Sequence, residues 1–304
     1  MSYYIGIDGG GTKTKAVLID EKMNILSKAI GSPSNFLVFD INDVANSIIS
    51  LIIDICNKGN ISIENVTSIL IGTAGAGRIE DAERLEKIVL ENAKAKSLVI
   101  NNFKVESDAR IAIEGAFSGK PGSILIAGTG SIMFGKDSDE NIHRVGGFGR
   151  MLGDEGSGFH IGRAGLTAIA KSFDNRIEKT LLTELVKNKF EINDTTQLIN
   201  KVYKENFDIP QIAPLVIEAA EKNDQICKTI LDSEIEGLLE HIHAMKKLIN
   251  VKELFISLIG GTITTNNYYA NLFRTEAEKI PNIKIIDAEL PPQMGAALMA
   301  INNS

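Results

Sequence analysis

Near the start of the chain the hydrophobic positions fall in two short runs. Tyr3, Tyr4, Ile5 and Ile7 lead to Asp8, and Ala16 to Ile19 follow the polar stretch GGGTKT at 9–14. Two apolar runs around a glycine-rich tip predict a β-hairpin. A turn at Glu21–Asn24 leads to a third strand, Ile25–Ile30, and then to a loop over 31–36. From Ile41 to Lys58, Val44, Ile48, Leu51, Ile52 and Ile55 recur at helical spacing, with Asp40 or Asn42 as the cap. The pattern then predicts a buried strand at Val66–Ile71, a helix at Ile79–Asn92 and a strand at Ser97–Ile100. An extended run at Phe103–Glu106 follows, then a helix capped by Ser107 and running to about Phe117. Three antiparallel strands followed by alternating helix and strand make an α/β unit.

The layout then returns. Ser123–Ala127 is a strand, GTGS at 128–131 a glycine-hydroxyl turn, Ile132–Gly135 a second strand and Ile142–Val145 a third. A repeat spaced by about 120 residues is too long for a solenoid and indicates two related domains. Residues 159–250 read as mostly helical, with core stripes such as Leu238, Leu239, Ile242 and Met245. A strand at Leu254–Ile259, a helix at Asn267–Lys279, a strand at Ile283–Ile286 and a closing helix opened by Pro291-Pro292 complete the chain. The expected division is 1–117 with 291–304, and 118–290 carrying a helical insertion.

Composition narrows the classes. At 304 residues the chain is long enough for two domains sharing a cleft. It is 44% apolar and 23% charged, with net charge −7 and a pI near 5.3. An acidic chain with no basic block is a poor nucleic-acid binder. No apolar stretch approaches the roughly 20 residues of a membrane span, and no basic, apolar leader precedes the first strand. Cys56 and Cys227 lack C-x-x-C spacing, which fits reduced thiols in a cytoplasmic protein.

The candidate chemistry sits at the glycine turns. In DGGGTKT, backbone N–H groups of Gly10 and Gly11 beside Thr12, Lys13 and Thr14 form a cradle for phosphate oxygens. Asp8, at the strand end, is placed to hold magnesium or its water. Walker A and the Rossmann G-x-G-x-x-G are absent. The second turn offers Thr129, Gly130 and Ser131. Asp108 is either a helix cap or a general base, and a helix N-terminus keeps it ionised. Asp154 and Glu155, between glycines, either cap a helix or accept from vicinal hydroxyls. His143 and His160 stand alone, and His241 and His243 point to different faces of a helix.

DGGGTKT resembles the first phosphate motif of the actin, sugar-kinase and heat-shock-chaperone superfamily. Together with Asn35, SDA at 107–109, GTGS, GGFGRMLGDEGSG at 146–158, LIGG at 258–261 and PPQMGAA at 291–297, the chain is similar throughout to the N-acetylglucosamine kinase group, or BadF/BadG-type ATPase family. The resemblance implies two actin-like, ribonuclease-H-like domains with a nucleotide cleft between them, and ATP with Mg2+. It places adenosine at Gly260-Gly261 and gives Asp108 the proton of the sugar hydroxyl. It assigns the sugar to Asn35, Asp154 and the backbone at Gly147, Phe148 and Gly149. Phe148 stands where many relatives carry Trp. The implied activity is phosphorylation of an amino sugar at the 6-hydroxyl by a cytoplasmic homodimer. The alternative is an ATP-hydrolysing activator of a CoA-dehydratase, whose iron–sulfur cluster needs a thiolate set.

Overall fold

The computed structural model describes all 304 residues. They form two compact units, 1–121 with 287–304, and 122–286. The first opens with β1 (Tyr3–Gly9), β2 (Thr14–Asp20), β3 (Ile25–Gly31), α1 (Ile41–Gly59), β4 (Val66–Thr73), α2 (Ile79–Ala95), β5 (Phe103–Ser107) and α3 (Asp108–Ala116). The second contains β6 (Gly122–Ala127), β7 (Ser131–Lys136), β8 (Ile142–Gly146), α4 (Gly158–Phe173), α5 (Leu181–Phe190), α6 (Thr195–Lys204), α7 (Ala213–Glu221) and α8 (Gln225–Ile249). It closes with β9 (Leu254–Ile259), the single turn α9 (Gly261–Thr264), α10 (Tyr268–Ala277) and β10 (Ile283–Ile286). The chain then returns to the first unit as α11 (Pro292–Asn302).

Each unit has one mixed five-stranded sheet. The orders are β3-β2-β1-β4-β5 and β10-β9-β6-β7-β8. Read from the other edge, the second has the connectivity of the first. In both, three strands run as an antiparallel meander and two more add in parallel. The repeat seen in the sequence is therefore a repeat of topology.

In the first unit both sheet faces are covered, so the strands read as continuous apolar runs. Ile5, Ile7, Ala16 and Leu18 face one core with Ile48, Ile52 and Ile55 of α1 and Leu85 and Val89 of α2. Tyr4, Val17 and Ile19 alternate to the other, with Ile111 of α3 and Met294, Ala297 and Ala300 of α11. Close approach of α11 is possible because two glycines lack side chains. A Cβ on Gly6 would lie 2.1 Å from the Gln293 carbonyl, and one on Gly295 2.1 Å from that of Ile111. In the second unit α8 lies on β7 and β8, with Leu238, Ile242 and Met245 in the core, while α4, α5 and α7 pack through Ile161, Leu166, Leu182 and Val216.

Two expectations are corrected. Ser97–Ile100 is not a strand. The helix α2 runs on to Ala95, then Lys96, Ser97 and Leu98 donate back to the carbonyls of Ala93 and Lys94, with Ser97 at φ +59°. Leu98 and Ile100 reach the core from a loop. The unit boundary falls after Pro121 and Ile286 rather than at 117/118 and 290/291. Gly119 donates to Glu114, and Glu289 and Leu290 to Ala116 and Gly115, so both connecting segments stay with α3.

The thiols are interior. Cys56 is 3% exposed in the first unit and Cys227 0% in the second. Burial pushes the Cys56 thiol up to about 11 and raises that of Cys227 further, with the Asp224 charge adding to it. The native protein is therefore expected to release almost no thionitrobenzoate from Ellman's reagent at pH 8, and two equivalents in denaturant. A fast native equivalent would place one thiol at the surface.

Candidate active site

The first unit builds its site at the carboxyl ends of β1, β4 and β5. At the hairpin tip Gly10 N–H donates to the Lys13 carbonyl (3.1 Å), and Gly11, Thr12 and Lys13 are exposed. The glycines are needed for space, not for left-handed backbone, since none of the three has φ in that region. A Cβ at Gly9 would lie 2.2 Å from Ser34 Oγ and 2.7 Å from Thr73 Oγ1, whereas at Gly11 nothing stands within 4 Å. Gly11 thus leaves the backbone open to a ligand. Thr14 is placed differently from the expectation. It is 2% exposed, and its hydroxyl donates to the Ser32 carbonyl at 2.6 Å. It ties the tip to the next loop and is not turned to a phosphate.

That loop carries Asn35. Ser34 N–H donates to the Gly10 carbonyl (3.1 Å), and the buried Ser34 and Thr73 hydroxyls are 3.1 Å apart. Asn35 Oδ1 accepts from Leu37 N–H (3.1 Å), which leaves its NH2 without a protein partner. Asp8 is half-buried at the end of β1, 3.9 Å from Lys15 Nζ. Burial holds its carboxyl above the ordinary range, Lys15 opposes this, and the Asp108 charge adds to it. Asp8, with Lys15 as its nearest cation and Asp108 as a second carboxylate in range, is the residue here that could hold a hydrated divalent cation. Asp108 is exposed in the first turn of α3. The cap is Ser107, whose Oγ accepts from Arg110 N–H at 3.1 Å. Asp108 Oδ1 accepts only from Ala109 N–H, so capping does not account for it.

The second unit repeats the design. Gly128 N–H donates to Gly130 O (2.9 Å), and Gly128 O accepts from Gly158 N–H (2.7 Å) and from Thr262 Oγ (3.1 Å). Thr129 is exposed. Ser131, like Thr14, departs from the expectation. At 2% exposure its hydroxyl donates to the Glu155 carbonyl at 2.6 Å, which locks the loop and leaves nothing for a phosphate. Gly260 bends at φ +100° over β6, where a Cβ would lie 2.3 Å from the Ala127 carbonyl, and Gly261 opens α9.

Loop 146–157 bends through left-handed Gly146, Gly147, Gly149, Asp154 and Gly156. Asp154 does not cap α4; Ser157 does, accepting from His160 N–H at 3.3 Å. The Asp154 carboxylate lies against the second turn, where a Cβ on Gly130 would be 2.8 Å from Oδ2. Phe148 is 69% exposed, with the Arg144 guanidinium 5.7 Å from its ring centroid. Arg150 stands 5.5 Å from the Phe159 centroid.

The turn Thr129–Gly130 separates two cavities. One, about 590 Å³, is lined by Gly128, Thr129, Gly261 and Thr262 and walled by Pro210 to Glu221. The other, about 350 Å³, is lined by Thr129, Gly130, Arg150, Asp154, Phe159 and Asn206 to Pro210. The first is of small-ligand size. Sequence reading missed the wall of α7, and missed Ser34, Thr73, Glu234 and Tyr269, none of which belongs to a local motif. The histidines are not isolated: His143 Nε2 is 2.7 Å from Asp137 Oδ2, His160 Nδ1 3.8 Å from Glu234 and His241 Nε2 3.9 Å from Glu155.

The profile of the BadF/BadG/BcrA/BcrD ATPase family matches residues 5–300. A Clostridium acetobutylicum protein named N-acetylmuramic acid/N-acetylglucosamine kinase is 33% identical over 306 residues, covering 99% of this chain and 98% of its own length. N-acetyl-D-glucosamine kinase of Dictyostelium discoideum is 31% identical over 316 residues, covering 99% and 98%. A solved structure from Chromobacterium violaceum, provisionally named an N-acetylglucosamine kinase, superposes with TM-score 0.72 at 21% identity over 98% of both chains. That likeness is one of fold, and the fold is the actin-like one expected from the sequence.

The four hydroxyls of the two turns divide into exposed and committed pairs. Thr129→Ala is expected to raise the KM for nucleotide by about 3- to 10-fold, the worth of one hydrogen bond, with melting unchanged. Ser131→Ala is expected to cost about 1 kcal/mol in denaturant, because the Glu155 carbonyl loses the buried hydroxyl that donates to it. Unchanged stability in Ser131→Ala would show that the hydroxyl is dispensable to the loop.

Proposed function

The chain belongs to the BadF/BadG/BcrA/BcrD ATPase family, and we propose that it is an ATP-dependent kinase acting on the 6-hydroxyl of an amino sugar, N-acetylglucosamine first. The observation that carries this reading is the position of Thr129–Gly130. One turn borders a 590 Å³ cavity on one side and the Asp154 carboxylate on the other. A phosphate-binding turn between a nucleotide pocket and a hydroxyl acceptor is what phosphoryl transfer requires of a protein. Two curated relatives carry N-acetylglucosamine in their names.

In this reading Gly10, Gly11, Thr12 and Lys13 serve phosphate oxygens from the first unit, and Thr129 and Gly130 from the second. Gly260, Gly261 and the face of α7 hold the nucleoside. Asn35, Asp154 and the backbone of Gly147, Phe148 and Gly149 hold the sugar. Asp108 accepts the proton of the 6-hydroxyl as the hydroxyl oxygen bonds to the γ-phosphorus of ATP and the bond from that phosphorus to the bridging oxygen breaks, leaving ADP. Asp8 would hold Mg2+, which when bound neutralises phosphate charge. The reading includes a cytoplasmic homodimer; the two free, buried thiols agree with a reducing compartment.

The dehydratase-activator reading is disfavoured by the same thiols. A cluster needs accessible thiolates, while Cys56 and Cys227 are each sealed in a core. A coupled ADP-release assay over glucose, glucosamine, N-acetylglucosamine, N-acetylmannosamine and N-acetylmuramate tests the function directly. No sugar-dependent ADP would overturn it.

Asp108→Asn is expected to lower kcat by about 10²-fold or more, with sugar KM near the parent value, because the amide still hydrogen-bonds but takes no proton. A near-parent kcat would remove Asp108 from proton transfer. N-acetylmuramate is the second substrate to expect. Arg150 shares a cavity with Asp154, and a guanidinium there suits the lactyl carboxylate that N-acetylglucosamine lacks. Arg150→Ala should reduce kcat/KM for N-acetylmuramate about 10-fold more than for N-acetylglucosamine; an equal loss for both sugars would deny Arg150 that role.

A further inference from the structure

Gly156 is held from two sides by buried side chains distant in sequence. Its N–H donates to Glu234 Oε2 of α8 at 2.7 Å, and its carbonyl accepts from Tyr269 OH of α10 at 3.1 Å. Tyr269 is 0% exposed and the Glu234 side chain 13%. Gly156 has φ +74°, and a Cβ would lie 2.2 Å from Leu238 Cγ. Only glycine can occupy the position, and its peptide orientation is fixed from both helices. One residue earlier, Ser131 fixes the Glu155 carbonyl.

Two residues earlier stands Asp154 at φ +69°. A non-glycine residue in that conformation stores about 1 kcal/mol or more and persists only where its surroundings over-determine it. On Asp154 itself only the carbonyl is held, accepting from Ser157 N–H at 3.2 Å; the structure gives its carboxylate no hydrogen-bond donor in the protein. The restraint comes from behind, at Glu155, Gly156 and the Ser157 cap. We propose that Glu234 and Tyr269 are positioning residues for the sugar acceptor, fixing Gly156 so that Asp154 stays left-handed with its carboxylate against Gly130. His160 Nδ1 lies 3.8 Å from the same Glu234 oxygen. The phosphate turn shares the Ser131–Glu155 bond with this loop but has further anchors of its own, Gly158 N–H and Thr262 Oγ on the Gly128 carbonyl and Phe159 N–H on that of Thr129, so loss of the cradle is expected to fall on the acceptor more than on the nucleotide.

This inference rests on the kinase reading, and the test separates the two. Tyr269→Phe removes one hydroxyl and keeps the ring in the core; Glu234→Ala removes the other hold. Each should raise the KM for N-acetylglucosamine about 10-fold while the KM for ATP stays within about twofold. In an Asp154→Ala background Tyr269→Phe should add no further rise, because the residue it positions is gone. Equal rises in both KM values, no change in either, or full additivity with Asp154→Ala would overturn the proposal. If the parent enzyme phosphorylates no amino sugar, the kinase reading fails, and amide exchange at Gly156 decides the cradle. Slow exchange that quickens at least tenfold in Tyr269→Phe supports it, and exchange that does not change refutes it.

Discussion

The hydrogen bond from the buried Ser131 Oγ to the Glu155 carbonyl, 2.6 Å long, joins the turn of one hairpin to the loop carrying Asp154. Thr14 makes the same bond in the first unit, to the Ser32 carbonyl in the loop leading to Asn35. In each half the residue that ends the glycine turn turns inward and couples it to the loop that presents a polar side chain. A buried hydroxyl deprived of its acceptor is costly. Turn and loop therefore form one rigid piece, and reacting groups can be held at fixed separation before any ligand arrives. The exposed hydroxyls, Thr12 and Thr129, sit two positions earlier and are free for recognition because the structural task is done elsewhere.

This division explains what could be read from the sequence. The hairpins, the topological repeat and the cap at Ser107 follow from local patterns: period-two apolar runs, glycine tips and a serine before a helical stripe. The glycines were legible as special, but for a partly different reason. Gly9 and Gly130 are glycines because a neighbour occupies the place of the side chain, while Gly156 also needs the left-handed backbone. Motif reading treated Thr14 and Ser131 as equivalent to Thr12 and Thr129, since all four are hydroxyls in a phosphate-like string. Which of them face inward depends on strand register and on the next loop. Glu234 and Tyr269 were invisible because their partner is a backbone group 78 and 113 residues away. Ser97–Ile100 failed because an apolar run looks alike in a strand and in a helix exit that drops two side chains into a core.

The electrostatics of the two halves differ while their frames match. The first unit gathers Asp8 and Asp108 beside one lysine, and the Asp108 charge adds to the cost of charging Asp8. The second gathers Asp154 and Arg150 around one cavity. The frame is thus duplicated while the charges beside it differ: two carboxylates and a lysine in one half, a carboxylate and a guanidinium around one cavity in the other. The fold supplies the positions, and the side chains at loop ends supply the chemistry.

The path of the chain has a consequence for how the protein is made. The second unit is a single continuous stretch inserted into the first, and α11 reaches its place on Gly6 and Gly295 only after all of that stretch has been synthesised. Until then the face of the first sheet that carries Tyr4, Val17 and Ile19 is covered only in part, by α3 through Ile111. On the ribosome the earlier half must wait with a partly open apolar face while the later half completes its own core. Pairing β1 with a helix almost 290 residues downstream is a contact of very high sequence separation, and such contacts form slowly. The smallness of the residues on both sides, Gly6 against Gly295, Ala296 and Ala297, makes the late docking a matter of close backbone fit with little side chain to rearrange.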